Sequence, residues 1–206
     1  MNGSHLAIGV SAMLAAVGAL SRRGSLSRMD AGRWGRKLLL NQVKNEASDL
    51  SREMFAIWDS HKGGRHDMRV ISAGMKSIFP DRNFISGSTR IVTRSKVDPR
   101  LVIKLNPGLD ENLFEAAVYR NAGPETKACL VPVLAHSWSG SWLIMEYAEL
   151  ASDFVWPPGS CSRRLKALGF RDVEQRFNLT EDGRLLDYAE RVRTRGSAAR
   201  PRDSRL

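Results

Sequence analysis

The fold is decided by residues 101–120, LVIKLNPGLDENLFEAAVYR, in which a short apolar segment is followed by a longer one that mixes polar and apolar residues. Side chains in residues 101–105 alternate between two faces, and Lys104 shares its face with Val102. The Asn-Pro-Gly segment at 106–108 cannot continue the ladder, because proline lacks an N–H and glycine favours turns. We therefore predict a β-strand at 101–105 that ends at this turn.

The second half of the stretch predicts a short helix over Asp110–Arg120. Its first turn carries two acids, Asp110 and Glu111, which are favourable there because of the helix dipole. The sequence Asn-Ala-Gly-Pro at 121–124 then ends the helix. The central unit is thus a strand followed directly by a helix.

The segments on either side of this unit also have the two-residue period of strands. The extended pattern begins at Phe84, and one strand is predicted at 90–94, with a turn containing Pro99 after it. Two more strands, at 130–135 and 142–147, flank a Ser-Gly turn. The predicted fold class is α+β, with an antiparallel sheet of about five strands and one helix.

Composition and periodicity divide the whole chain into five segments. They are an apolar and basic arm at 1–29, a helical N-terminal extension at 30–80, the sheet domain at 84–150, an abbreviated segment at 151–190 and a disordered basic tail at 191–206. Within the extension, apolar residues at helical spacing predict an amphipathic helix at 33–58 and a shorter helix at 68–78.

The charge balance favours an acidic partner. The 206 residues carry a net charge of +10, while the 42% hydrophobic and 26% charged content is ordinary for a globular protein. The tail at 191–206 holds six arginines against one acid, Asp203. This tail predicts a solvated, non-specific polycation. The alternative is sequence-independent contact with nucleic acid or another anionic surface.

The apolar run Leu6–Leu20 is shorter than a membrane span of about 20 residues. Arg22 and Arg23 follow the run, whereas a secretory signal has its positive charges before it. We expect a helical arm that packs on the body of the protein or on a partner. A membrane anchor and an organelle-targeting peptide are the alternatives.

The two cysteines, Cys129 and Cys161, form neither a disulfide framework nor a metal-binding spacing. The histidines His61 and His66 are five residues apart in a Gly-rich loop, which is not a helical ligand pair, so no zinc site is predicted. Since the cytoplasm keeps thiols reduced, we expect free cysteines and a cytoplasmic protein.

Lys104 is the most informative side chain of the predicted sheet. Its neighbours in sequence are apolar, and a buried ammonium is costly unless a carboxylate pairs with it. Glu115, in the middle of the following helix, is the expected partner, and Glu111 is nearer the solvated end. The alternative is that Lys104 lies on an exposed face of the sheet and extends into water.

Five segments of the chain resemble the small lobe of protein-kinase-like proteins, in particular the short ones of bacteriophages and prokaryotes. They are ISGSTRIVT at 85–93, LVIKL at 101–105, ENLFEAAVYRNAGP at 111–124, LVPVLA at 130–135 and WLIMEYA at 142–148. The resemblance implies that the sheet domain at 84–150 is a kinase-like small lobe that binds ATP. It also implies that Lys104 contacts the α- and β-phosphates while paired with Glu115.

The same resemblance assigns the remaining contacts of the nucleotide. Glu146, Tyr147 and Ala148 match the hinge that borders the adenine, and Gly87 and Ser88 match the turn that covers the phosphates. The turn has one glycine, where the usual loop has three.

The segment 169–190, GFRDVEQRFNLTEDGRLLDYAE, resembles the catalytic loop and metal-binding hairpin of an abbreviated large lobe. The resemblance implies that Asp172 is the catalytic aspartate, and that Asn178 and Asp187 bind Mg²⁺. Asp172 and Asn178 are six residues apart, where the family has five, and Tyr-Ala follows Asp187 in place of Phe-Gly. Taken without the resemblance, Asp187 is an ordinary surface acid beside an Asp-Gly hairpin turn.

The resemblance implies an ATP-dependent phosphotransferase acting on Ser or Thr of a protein substrate. The alternative is a catalytically inactive kinase-like protein, such as a virion or assembly protein, that contacts partners or nucleic acid through its helical arm and basic tail.

Overall fold

The computed structural model describes residues 28–61, 67–108, 110–150, 159–170, 173 and 178–188, with residues 28–33 and 160 described by their backbone alone. Asp172, the tail at 191–206 and the apolar run Leu6–Leu20 lie outside the described residues. The predictions made for them are therefore not addressed by the structure.

The described part of the chain contains five helices and five strands. In chain order they are α1 (Arg28–Ser60), α2 (Met68–Ile78), β1 (Phe84–Ser86), β2 (Ile91–Arg94), β3 (Leu101–Leu105), α3 (Asp110–Asn121), α4 (Pro124–Lys127), β4 (Val133–His136), β5 (Trp142–Glu146) and α5 (Gly159–Ala167).

The strands form one sheet in the order β1-β2-β3-β5-β4, and every neighbouring pair is antiparallel. Lys104 of β3 lies opposite Val92 of β2 on one side and opposite Leu143 of β5 on the other. The predicted α+β class, with a five-stranded antiparallel sheet, is confirmed. Lys104 therefore lies in the centre of the sheet rather than at an edge.

The first face of the sheet packs against α1 and α2. The strands contribute every second residue to this core, including Ile91, Leu101, Ile103, Leu105 and Ile144. The helices contribute apolar residues at three- and four-residue steps, namely Val43, Ala47, Leu50, Met54, Met68, Ile71 and Met75. The N-terminal helices and the sheet therefore share one core, in which each large apolar side chain stabilises the fold by about 1.5–3 kcal/mol.

A buried ion pair also joins α1 to the sheet. The carboxylate of Glu46 in α1 is paired with Arg82 and accepts hydrogen bonds from the Ser95 hydroxyl and, at 2.8 Å, from the Lys96 backbone N–H. Both side chains of the Glu46–Arg82 pair are buried. Glu46 thereby holds the turn between β2 and β3 against α1.

The second face of the sheet carries Val102, Leu143 and Met145, and it packs against α3 and the segment 179–188. The hairpin at 179–185 attaches to the sheet domain by backbone hydrogen bonds from Leu185 N to Cys129 O at 2.9 Å and from Val131 N to Leu185 O at 3.0 Å. This second face is the one on which Lys104 lies. The hairpin therefore brings the end of the described chain to the lysine.

Element boundaries follow local signals where these are strong. The helix predicted at 68–78 is found at those residues, and the Asp67 side chain caps it by accepting from Arg69 N at 2.8 Å. The helix predicted at 33–58 is longer in the structure, where it begins at Arg28 and ends at Ser60. In the described residues, no helix combines the length and the apolar character that crossing a membrane requires.

The expectation that Cys129 and Cys161 are free thiols is wrong. Their sulfurs form a disulfide across 32 residues of sequence. The bond forms because α5, a helix that the sequence reading did not predict, lies beside α4, where Arg164 also pairs with Glu125. The abbreviated segment at 151–190 is thus joined covalently to the sheet domain.

Candidate functional site

Lys104 is buried, with 3% of its surface exposed, and it has a partner for each of its ammonium protons. Nζ donates to Glu115 Oε1 at 2.9 Å, to Glu115 Oε2 at 3.1 Å and to the backbone carbonyl of Leu186 at 3.1 Å. The predicted pairing with Glu115 is present, and the alternative of an exposed lysine is excluded. The Leu186 contact also places Asp187 beside the pair.

Glu115 is the centre of the site. It is fully buried in α3 and accepts hydrogen bonds from Lys104, from Arg90 Nη1 at 2.6 Å and from the backbone N–H of Tyr188 at 3.3 Å. A buried carboxylate is stable when it is paired and hydrogen-bonded in this way. Glu115 therefore joins the strand β3, the turn before β2 and the segment after the hairpin.

Arg90 is the site residue that sequence reasoning missed. Its guanidinium, 6% exposed, pairs with both Glu115 and Asp187, and Nε lies 3.7 Å from Glu111 Oε2. Burial alone would lower the pKa of Arg90, but the charges of Glu115 and Asp187 outweigh it and raise the pKa above its ordinary value. The two-residue period of the strand could have identified Arg90, since residues 90 and 92 share a face of the sheet and Val92 lies opposite Lys104.

The backbone of Asp187 is held by the side chain of Asn178. Asn178 Nδ2 donates to Asp187 O at 2.8 Å, and Asp187 N donates to Asn178 Oδ1 at 2.6 Å. The Asp187 carboxylate, 47% exposed, is paired with Arg90. Asp187 is therefore part of the Lys104 cluster and is no ordinary surface acid.

Tyr188 anchors the chain immediately after Asp187. Its hydroxyl donates to the carbonyl of Val131 at 3.0 Å and its ring is buried on the second face of the sheet. Burial first, and then the charge of Glu115, raise the pKa of Tyr188 well above its ordinary value. Tyr188 thus has a packing role on the second face of the sheet.

The predicted hinge and the predicted phosphate turn lie at opposite ends of β3. Glu146 of β5 lies opposite Leu101, the first residue of β3. Leu105, the last residue of β3, lies opposite Ile91 of β2, which follows the turn. Tyr147 N donates to Arg100 O at 2.7 Å. Lys104 lies near the end of β3 at which the turn is found.

Two charged side chains accompany the residues of the predicted hinge. The guanidinium of Arg94 stacks over the ring of Tyr147, with 3.8 Å to the ring centroid. Arg184 Nη1 lies 3.5 Å from Glu146 Oε2. Ala148 follows them and packs partly buried against the core of the second face.

The turn at 87–90 is closed by a hydrogen bond from Gly87 N to Arg90 O at 2.8 Å. Ser88 and Thr89, at its tip, are exposed. A Cβ at Gly87 would meet Arg90 O at 3.5 Å, an ordinary van der Waals contact. Glycine is therefore not required at position 87 by the space around it.

The predicted metal ligands do not fit Mg²⁺ in this arrangement. Both polar atoms of the Asn178 amide are directed to the backbone of Asp187, and the Asp187 carboxylate is paired with a guanidinium. In the part of the chain that the structure describes, no three His, Cys, Asp or Glu side chains are grouped as metal ligands. The assignment of Asn178 and Asp187 as metal ligands stays a prediction.

The site is thus a cluster between a sheet, a helix and a hairpin, in which the buried Lys104, Arg90 and Glu115 meet the partly exposed carboxylates of Asp187 and Glu111. Comparisons of the chain with protein-family models, with curated proteins and with solved structures yield no match.

Proposed function

We propose that the chain is a kinase-like protein that binds ATP on the second face of its sheet. The observation that carries the proposal is the buried pair of Lys104 and Glu115, with Nζ 2.9 Å from Oε1, beside Asp187 and near the turn at 87–90. A lysine held by a helical glutamate under such a turn suits the contact with phosphate oxygens that kinase-like folds require.

The apolar residues of the second face support the same proposal. Val92 and Val102 share the face of Lys104, and Val102 lies opposite Met145, next to the hinge residue Glu146. A nucleotide lying along β3 would have apolar contacts for its base near the hinge and cationic contacts for its phosphates near the turn. This is the usual composition of a ligand site, in which apolar walls carry a few placed polar groups.

Phosphate transfer to a Ser or Thr of a protein substrate is the further step of this proposal. Asp172 would orient the acceptor hydroxyl, and Asp187 lies beside Lys104 as that chemistry requires. Transfer also needs the transferred group's charge to be neutralised, which in kinases Mg²⁺ supplies.

A second candidate is a catalytically inactive kinase-like module for binding or assembly. The pairing of Arg90 with Asp187 favours it, because the carboxylate is held by a cation of the chain itself. In this case the site serves stability or ligand binding, and partners are contacted elsewhere.

Calorimetric titration with ATP tests the proposal. We expect saturable binding by the wild type and a loss of at least about tenfold in affinity for Lys104→Met, because a charged contact is removed. The matched control is Lys96→Met, since Lys96 is an exposed lysine in the turn between β2 and β3. Equal affinity of the Lys104 variant and wild type would refute the site. Transfer of labelled phosphate to a protein substrate separates the active form of the proposal from the inactive module.

A further inference from the structure

Arg90 occupies the position beside the Asp187 carboxylate at which a metal ion would bind. Arg90 Nη2 is paired with Asp187 Oδ2, while Arg90 Nη1 donates to Glu115 at 2.6 Å. The Asn178 amide is turned to the backbone of Asp187. The described cluster is therefore complete without a divalent ion.

The cations of the cluster are fully opposed by carboxylates. Arg90 and Lys104 are paired with Glu115 and Asp187, and Glu111 Oε2 lies 3.7 Å from Arg90 Nε. A divalent cation placed on the Asp187 carboxylate would lie beside a buried guanidinium and would be repelled by it. Binding of such an ion would therefore compete with the pairing of Arg90 and Asp187.

Arg90 is also placed to contact phosphate. It is the last residue of the turn closed by the bond from Gly87 N to Arg90 O, and its side chain lies on the face that carries Lys104. A guanidinium has five N–H donors in a planar fork, so it can hold two carboxylates and still donate to a phosphate oxygen. Lysine, with its three donors directed to Glu115 and Leu186, has less capacity.

We propose that Arg90 replaces the divalent cation at Asp187, so that this site binds nucleotide phosphates through Arg90 and Lys104 without requiring Mg²⁺. The inference rests on the proposed ATP binding and adds the residue that neutralises the phosphates. It separates the binding of a nucleotide from the metal on which phosphate transfer depends.

The first experiment titrates the wild-type protein with ATP in buffer containing Mg²⁺ and in buffer containing EDTA. We expect the two dissociation constants to agree within about threefold. A loss of affinity of about tenfold or more in EDTA would overturn the role of Arg90 while leaving ATP binding intact. Absence of binding in both buffers would overturn the proposed function, and the role of Arg90 with it.

The second experiment repeats both titrations with Arg90→Gln. We expect affinity in EDTA to fall at least about tenfold and Mg²⁺ to restore part of it, because the vacated carboxylate then accepts the ion. Arg120→Gln, which removes the same charge from an exposed position in the last turn of α3, is the matched control and should bind as the wild type does.

A third variant covers the case in which Arg90→Gln does not fold. Arg90→Lys keeps the charge but loses the planar fork, so it should bind ATP more weakly than the wild type in EDTA. Affinity equal to that of the wild type for either folded variant would show that Arg90 does not contact the phosphates.

Discussion

The ammonium of Lys104 lies 2.9 Å from Oε1 of Glu115, and both side chains are almost completely removed from solvent. Arg90 reaches the other oxygen of the same carboxylate at 2.6 Å. One helical glutamate is thus shared by two cations, which come from β3 and from the turn before β2. The contribution of this arrangement to the free energy of unfolding can be measured by substitution of each of its members.

Glu115→Gln should destabilise the protein by about 3–5 kcal/mol, because two buried cations lose the charge that compensates them. Denaturant unfolding at neutral pH measures the change. Glu181→Gln is the matched control, since Glu181 is an exposed glutamate in the hairpin turn, and we expect a change of less than about 0.5 kcal/mol. A loss below about 1 kcal/mol for Glu115→Gln would contradict the buried cluster.

Lys104→Met should cost less stability than Glu115→Gln, because Glu115 keeps Arg90 as its partner. The double variant should lose less than the sum of the two single variants, since both single changes break the same pair. We expect a coupling free energy of about 1–3 kcal/mol from the double-mutant cycle. Additive losses would show that the two side chains act independently.

The disulfide gives a prediction about redox conditions. In the chain-entropy account, a loop of 32 residues closed by Cys129–Cys161 corresponds to about 3.7 kcal/mol of stability. Cys129→Ser should therefore lower the free energy of unfolding by about 2–4 kcal/mol in the absence of reductant.

The control for this prediction is the reductant itself. Dithiothreitol should lower the stability of the wild type to that of the variant and leave Cys129→Ser unchanged. A wild type insensitive to dithiothreitol, with both cysteines reactive towards a thiol reagent, would show that the bond is absent.

The contact between Asp98 and Arg100 predicts that the free energy of unfolding depends on pH. Hydrogen bonds from Arg100 Nε at 2.9 Å and Nη2 at 2.8 Å hold the pKa of Asp98 below its ordinary range. A lowered pKa in the folded state stabilises the fold above the unfolded pKa of about 3.9, and this contribution is lost as the pH falls through the folded pKa.

Asp98→Asn should consequently cost about 1 kcal/mol at pH 7, and the difference from the wild type should shrink as the pH is lowered below about 4. Thermal unfolding across this range measures it. Asp81→Asn, at a site 87% exposed, is the control and should show no such trend. A difference that grows at low pH would contradict the role of the Arg100 contact.

Much of the sheet domain was predictable because its signals are local. The alternation of LVIKL placed β3 at its observed bounds, and the acids of the first turn placed the start of α3. The Lys104–Glu115 pair was predictable in part for an energetic reason, since a lysine buried among apolar residues needs a carboxylate and the following helix supplies one. The pattern alone left an exposed lysine as an equal alternative, and the resemblance to kinase-like proteins favoured the pair.

The remaining features depend on contacts between distant parts of the chain. Arg90 and Asp187 are 97 residues apart, and their pairing exists only because the hairpin at 179–185 attaches to the segment 129–131. The disulfide likewise depends on α5 lying beside α4. The periodicity of a sequence carries no information about contacts between such distant segments. The sequence therefore predicted the Lys104–Glu115 pair of the cluster, but not the Arg90–Asp187 pair or the disulfide.

Asp187→Asn distinguishes a guanidinium site from a metal site. If Arg90 neutralises the phosphates, the change removes a carboxylate that competes with them for the guanidinium, so ATP affinity in EDTA should rise, by up to about tenfold. If Asp187 instead binds Mg²⁺ with the nucleotide, the same change should weaken binding in Mg²⁺ buffer and leave binding in EDTA as it was.

Titration of this variant in both buffers therefore gives opposite results for the two sites. Asp49→Asn removes the same charge from an exposed position on α1, remote from the cluster, and serves as the control for the change in net charge. Because Asp187 is 47% exposed and its backbone is held by Asn178, the variant should fold as the wild type does. A rise in affinity confined to Asp187→Asn, and absent from Asp49→Asn, would then be due to the release of Arg90 rather than to the overall charge of the protein.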